Sequence, residues 1–134
     1  MRILHVSDLH LRCDPKHNAI VADKLAWVST EMGAGDVLVV TGDITDDGRV
    51  EQYANALQLL SPFAGRIVVV PGNHDFGLLG NFYDRECQKR FAKLRHALCA
   101  DTPWMFRVDG IAVGEIIVLD SCMRTGSIVD FAQG

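Results

Sequence analysis

Several absences bound this chain first. Its four cysteines, Cys13, Cys87, Cys99 and Cys122, form no C-x-x-C pair and no zinc-finger spacing. Neither a disulfide framework nor a structural zinc site is indicated, and reduced thiols in a cytosolic setting are the plain reading. No apolar run approaches membrane-spanning length. No basic stretch followed by a long apolar one opens the sequence, so no secretory signal is predicted. Basic charge is not in excess: 13 Lys and Arg against 17 Asp and Glu leave a net charge of -4. That balance argues against a protein held on nucleic acid by bulk electrostatics, though bound metal ions would still let it take a small phosphorylated substrate. There is no internal repeat, low-complexity tract or linker, so residues 1–134 read as one domain. The expectation is a soluble, cytoplasmic protein. With 49% hydrophobic and 22% charged residues, the composition is that of a globular fold with a real core.

Three short apolar runs read as buried strands: Ile3-Leu4-His5-Val6, Val37-Leu38-Val39-Val40 and Ile67-Val68-Val69-Val70. Between them lie helical stripes. Val21, Leu25, Val28 and Met32 recur at spacings of four, three and four, with Gly33 and Gly35 as a stop. Tyr53, Leu57 and Leu60 give a second stripe, ended by Ser61-Pro62. Cys87, Phe91, Leu94 and Leu98 give a third, broken by Asp101-Thr102-Pro103 after a looser region from Phe76 to Asp84. Asp109-Gly110, between Met105–Val108 and Ile111–Val113, is a hairpin signal, and a further apolar run, Ile116–Leu119, ends at Asp120-Ser121. Strand–helix repeats imply βαβ units with parallel strands, here followed by a hairpin.

Each of the first three strands runs into polar residues suited to metal chemistry: Asp8-Leu9-His10, Gly42-Asp43 and Gly72-Asn73-His74-Asp75. Neighbouring parallel strands would bring these to one sheet edge, where α/β folds bind ligands. Carboxylates, imidazoles and a carboxamide form a ligand set for hard or borderline ions. Asp43 has two oxygens and can bridge two ions, and Asn73 can offer its carbonyl oxygen to the second. Two ions about 3.5–4 Å apart would clamp a phosphate and generate a hydroxide nucleophile at neutral pH. His74 could protonate the leaving oxygen or stabilise charge on it. The alternative reading is that Asn73 and Asp75 merely cap and turn the chain.

Asp8-x-His10, Gly42-Asp43 and Gly72-Asn73-His74-Asp75, in this order and each after a strand, resemble the first three motifs of the calcineurin-like metallophosphoesterases. Val6–Leu11 and Thr41–Gly48 are similar to the bacterial and phage phosphodiesterase branch, including cyclic-nucleotide phosphodiesterase-like members. The resemblance implies an α/β fold, a layered α/β/β/α sandwich, of which this chain would be the N-terminal portion. It implies two divalent or trivalent metal ions (Mn, Fe or Zn), with Asp8, His10 and Asp43 on the first, and Asp43 and Asn73 on the second. His74 would be the catalytic histidine, and Asp75 would support the ligands from behind. Leu119-Asp120-Ser121 looks like the family's strand end after the third motif.

The family also has a later Gly-His and a later Gly-His-x-His, and neither occurs here. The expectation is therefore a domain truncated before the C-terminal histidine motifs. It would be completed by a further segment or by self-association that buries an orphaned sheet face. The leading functional expectation is a metal-dependent phosphodiesterase. A non-catalytic scaffold on the same fold is the alternative, and a nuclease is a weaker one. His5 is expected to be a hydrogen-bonded core residue, and His17 and His96 are expected at the surface. Arg85, Lys89, Arg90, Lys93 and Arg95 are expected to form a solvated face, and Cys13 is expected to be incidental to the site.

Overall fold

The computed structural model describes residues 1–77, 84–99, 104–108, 111–120 and 122. Strands β1 (Ile3–Val6), β2 (Val37–Thr41) and β3 (Ile67–Val70) form a parallel sheet in that order. Ile3 pairs with Val37 and Val6 with Val40, while Leu38 pairs with Ile67 and Thr41 with Val70. Helices α1 (Pro15–Glu31) and α2 (Val50–Leu60) make the two crossovers, and α3 (Arg85–Leu98) follows β3. An antiparallel pair, β4 (Trp104–Val108) and β5 (Ile111–Ile116), is the last of the elements among the described residues. The strand–helix order, the parallel pairing and the hairpin pairing are those the sequence predicts. The Asp109-Gly110 turn, the Asp101–Pro103 break, Ser121 and most of the looser region before Asp84 lie outside the described residues.

Period-2 alternation divides the sheet into two faces. Leu38, Val40, Ile67 and Val69 pack on the helices against Leu25, Val28, Tyr53, Ala56, Leu60, Phe91, Leu94 and Leu98. Burying one such side chain contributes about 1.5–3 kcal/mol. On the opposite face Val37 and Val68 are buried, with Val39, Ile116 and Val118 packed beside them. There β1 is open: Ile3 is 56% exposed, and His5 is exposed too. His5 is thus hydrogen-bonded, to Thr41 Oγ1 at 2.6 Å, but it is not a core residue.

α1 starts at Asp14, whose carboxylate accepts from Lys16 N–H at 3.0 Å, with Pro15 in the first turn. It stops at Met32 because the Gly33 N–H turns away to Asp36 Oδ2 at 2.9 Å. Asp36 also accepts from Arg2, at its backbone N–H (2.7 Å) and its guanidinium (2.8 and 3.0 Å), which ties β1 to the foot of β2. In α2 the buried stripe is Tyr53, Ala56 and Leu60, while Leu57 is 42% exposed and faces the groove toward α3. Gln52 is buried because its side chain reaches back to the N–H groups of Asp47 (3.0 Å) and Arg49 (3.2 Å) at the helix start. α3 buries Cys87, Phe91, Leu94 and Leu98 as their spacing predicts, and Asp84 caps it at Glu86 N–H. Beyond β5, residues 117–120 form no ladder. Ile116 and Val118 nonetheless face the sheet, while Ile117 and Leu119 are 73% and 79% exposed. Among the described residues no helix is long and apolar enough to cross a membrane.

Candidate metal centre

The loops after β1 and β2 lie side by side. Asp8 N–H donates to Gly42 O (3.2 Å), His10 N–H to Asp43 O (2.9 Å) and Leu11 N–H to Ile44 O (2.9 Å), and Leu11 and Thr45 close the pair as a parallel bridge. Keeping this contact through two turns forces Asp8, His10 and Asp43 into the left-handed region, at φ 56°, 41° and 49°. Residues with side chains seldom adopt that conformation. The loop after β3 closes from the other side. Gly42 N–H donates to Val70 O at 2.9 Å, and Gly72 lies so close to Asp43 that a Cβ there would stand 2.8 Å from Asp43 Cγ.

Asp75 locks the loops after β2 and β3 together. Its fully buried carboxylate accepts from Gly72 N–H (2.9 Å), Thr45 N–H (2.8 Å), Thr45 Oγ1 (3.0 Å) and Ile44 N–H (3.2 Å). Burial pushes its pKa above the ordinary carboxylate value, and these donors pull the other way. Tyr53 Oη donates to Asp75 O at 2.6 Å, and Cys87 Sγ and Arg90 both donate to Gly48 O. Arg90 is therefore a loop anchor rather than part of a freely solvated basic face. Lys89 pairs with Glu86 at 2.6 Å.

Asp8, His10 and Asp43 each bring a donor atom into one cluster, all within 4.8 Å of one another. His10 Nε2 is 3.9 Å from Asp43 Oδ2, and Asp43 Oδ1 accepts from His74 N–H at 3.1 Å. The two oxygens of Asp43 thus face two different loops. Asn73 is half-buried in the same loop as Gly72, at the start of a short 3-10 turn spanning Asn73–Phe76. His74 Nδ1 donates to Asp46 O at 2.8 Å, which fixes that tautomer and leaves the Nε2 lone pair. Its ring stands edge-on to His10 at 4.8 Å between centroids.

Asp46 is the participant that sequence reasoning missed. Besides its carbonyl contact to His74, its Oδ1 lies 3.4 Å from His10 Nδ1 and its Oδ2 lies 3.4 Å from Arg12 Nε. The only signal was a carboxylate three residues after Asp43, inside a stretch that reads as loop. His5, His17, His96 and Cys13 belong to neither donor cluster found among the described residues. His96 and Cys13 are exposed, and His17 is half-buried with an unpartnered Nε2. Cys122 Sγ donates to Pro71 O at 3.5 Å, and burial, reinforced by the nearby Asp120 carboxylate, pushes its thiol up to about 12.

Two carboxylates and an imidazole held on strained loops suit a borderline divalent ion. The donors fit such an ion further in that His10 Nε2 faces Asp43 Oδ2 at 3.9 Å, with both side chains mostly buried. A parallel sheet whose strand ends converge on such a cluster defines an α/β protein of the metallohydrolase type. The family model for calcineurin-like phosphoesterases matches residues 1–128, and the chain belongs to that family. The chain is similar to a glycerophosphodiester phosphodiesterase of Enterobacter lignolyticus, 34% identical over 82 residues that cover 56% of this chain and 30% of the relative. It is similar to a 3',5'-cyclic adenosine monophosphate phosphodiesterase of Haemophilus influenzae, 30% identical over 83 residues, 57% of this chain and 30% of the relative. A cAMP/cGMP dual specificity phosphodiesterase of Mycobacterium tuberculosis is 32% identical over 133 residues, 89% of this chain and 37% of the relative. The chain thus spans about a third of the length of these relatives. The family is one of phosphoesterases, and these three relatives are phosphodiesterases.

Proposed function

We propose that this chain supplies the N-terminal ligands and the catalytic histidine of a dinuclear metal centre that hydrolyses small phosphodiesters. The observation that carries the reading is the convergence of Asp8, His10 and Asp43 within 4.8 Å, with the other oxygen of Asp43 turned toward the Asn73-His74 loop. Asp8, His10 and Asp43 would hold the first ion, and Asp43 and Asn73 would hold the second. The donor types suit Mn, Fe or Zn. Such ions, when bound, activate water and neutralise phosphate charge.

The remaining chemistry belongs to the chain's own groups. His74, with Nδ1–H committed to the Asp46 carbonyl, presents Nε2 to the leaving oxygen; the imidazolium form, having taken a proton from solvent at Nε2, gives that proton to the oxygen as the P–O bond breaks and returns to the neutral ring. Asp75 holds the loop of Asp43 in register with the loop of Asn73 and His74. The relatives' activities point to a cyclic nucleotide or a comparable small diester as substrate. Both coordination spheres are completed by a C-terminal segment or by a second copy. Four free thiols suit a reducing, cytoplasmic setting.

The test pairs binding with turnover. Electron paramagnetic resonance of free Mn²⁺ should show binding by the 134-residue chain that is lost in Asp43→Ala, with circular dichroism unchanged. Mn-dependent hydrolysis of bis(p-nitrophenyl) phosphate should be lost in the same variant wherever the wild type shows it. Equal Mn²⁺ binding by wild type and Asp43→Ala refutes the proposal.

A further inference from the structure

We propose a second cation-binding mode at this loop cluster, in which His10, Asp46 and His74 together hold a borderline divalent ion of the zinc type. Each of the three contributes a donor atom, all within 4.8 Å of one another, and all three residues are half-buried. The set is distinct from Asp8–His10–Asp43 and shares only His10 with it.

The geometry at its centre suits zinc. Ligand atoms about 2.0–2.2 Å from a tetrahedral ion stand about 3.4 Å apart. His10 Nδ1 and Asp46 Oδ1 are 3.4 Å apart, and that nitrogen is buried without a hydrogen-bond partner. Arg12 engages the other Asp46 oxygen, Oδ2, which leaves Oδ1 directed at the imidazoles. The edge-on ring of His74, 4.8 Å from His10 between centroids, supplies the third donor, which already lies within 4.8 Å of the other two.

The two modes exclude each other. A neutral imidazole has one lone pair, so His10 serves Asp8 and Asp43 through Nε2 or Asp46 and His74 through Nδ1, never both. Their preferences also differ. Two imidazoles with one carboxylate make the second mode the more zinc-selective of the two, whereas the extra carboxylate of the first also suits Mn²⁺. Zinc in the second mode removes His10 from the Asp8–Asp43 cluster and occupies His74. The loop cluster is thereby a ligand switch that lets zinc oppose Mn²⁺.

Nitrogen-15 spectra of the histidine rings during a zinc chloride titration test this in the intact 134-residue chain. In the wild type, one zinc equivalent should shift ring nitrogens of His10 and His74 together. In Asp46→Asn, which keeps an acceptor beside His10 Nδ1 but is a poor zinc ligand, His10 should shift alone. A His74 resonance that stays put while His10 saturates overturns the proposal, and so does an equal His74 shift in Asp46→Asn. A second variant, His74→Gln, should need at least about tenfold more zinc to displace bound Mn²⁺ once each protein's own Mn²⁺ affinity has been measured and divided out. Unchanged zinc displacement in His74→Gln also overturns it. The readouts are site-resolved or Mn²⁺-specific and use no turnover, so their outcome is separate from that of the activity assay.

Discussion

Gly72→Ala isolates one steric demand of the centre. Gly72 sits at φ -110°, ψ 174°, an extended conformation open to alanine. At such a position the substitution ordinarily stabilises by about 0.4–1 kcal/mol, because it restricts the unfolded chain. Here a Cβ would fall well inside van der Waals contact of Asp43 Oδ1 and N, and 2.8 Å from Cγ. Neither side can give easily. Gly72 N–H is held by Asp75 Oδ2 at 2.9 Å, and Asp43 Oδ1 is held by His74 N–H at 3.1 Å.

Overpacking of this kind costs about 1–3 kcal/mol. The net effect expected is a loss of about 1–2 kcal/mol, which at roughly 4 °C per kcal/mol lowers Tm by about 4–8 °C. Because the displaced group is the carboxylate proposed to serve both ions, Mn²⁺ affinity should fall by at least about tenfold, equivalent to about 1.4 kcal/mol. Thermal denaturation without metal and Mn²⁺ binding in solution measure the two effects separately. Gly35→Ala is the control, with nothing within 4 Å of its added Cβ, and is expected to leave both quantities at or slightly above wild type. A Gly72→Ala protein matching Gly35→Ala in Tm and in Mn²⁺ affinity refutes the reasoning.

Asp75→Ala removes the acceptor for three N–H groups and one hydroxyl. It should cost about 3–5 kcal/mol in urea denaturation, since each buried donor left alone costs about 1–3 kcal/mol. Tyr53→Phe leaves the Asp75 carbonyl without its 2.6 Å donor and should cost about 1–2 kcal/mol in the same assay. Arg2 and the Gly33 N–H hold the Asp36 carboxyl at about 2. A depressed folded-state pKa contributes stability that is complete above the unfolded value, about 3.9, and is lost as pH falls toward 2. Acid denaturation should therefore separate wild type from Arg2→Ala most near neutral pH, with the gap narrowing between pH 4 and 2, and a constant gap counts against the assignment. Saturating Mn²⁺ should raise Tm, by about 2.7 kcal/mol of stabilisation at a hundredfold excess over Kd, and Asp43→Ala should abolish the rise.

The parts of the fold governed by periodicity were legible in the sequence. Cys87, Phe91, Leu94 and Leu98 recur as one helical face and are buried as one. Where a small residue competes with a large one, periodicity misleads. Leu57 fits a stripe with Tyr53 and Leu60, yet Ala56 takes the core position, because Gln52 must turn inward to satisfy the start of α2. His5 shows a different limit. Alternation identifies which face a residue points to, but whether that face is covered depends on residues far along the chain, such as Ile116 and Val118. The Arg2–Asp36 clamp, 34 residues apart in sequence, is likewise a product of register.

Asp46 was out of reach for a related reason. Its carbonyl meets His74 and its carboxylate meets His10 only because the loop after β2 turns through left-handed residues before it rejoins the chain at the Leu11–Thr45 bridge. Local rules fail at the same place. Among the described non-glycine residues, the three with φ above zero are Asp8, His10 and Asp43, the residues expected to hold the first ion. Each such conformation costs about 1–3 kcal/mol and persists only where surrounding structure imposes it. Here the imposing structure is identifiable: the Asp8–Gly42 and His10–Asp43 backbone bonds, the buried Asp75 and the glycine contact at Gly72. Strain confined to the expected ligands and opposed by a buried anchor is what a preorganised metal site requires. Relaxing it at Asp43 with glycine should therefore stabilise the metal-free fold while abolishing Mn²⁺ binding. Substituting asparagine, which also tolerates left-handed backbone, should weaken the metal without that gain in stability.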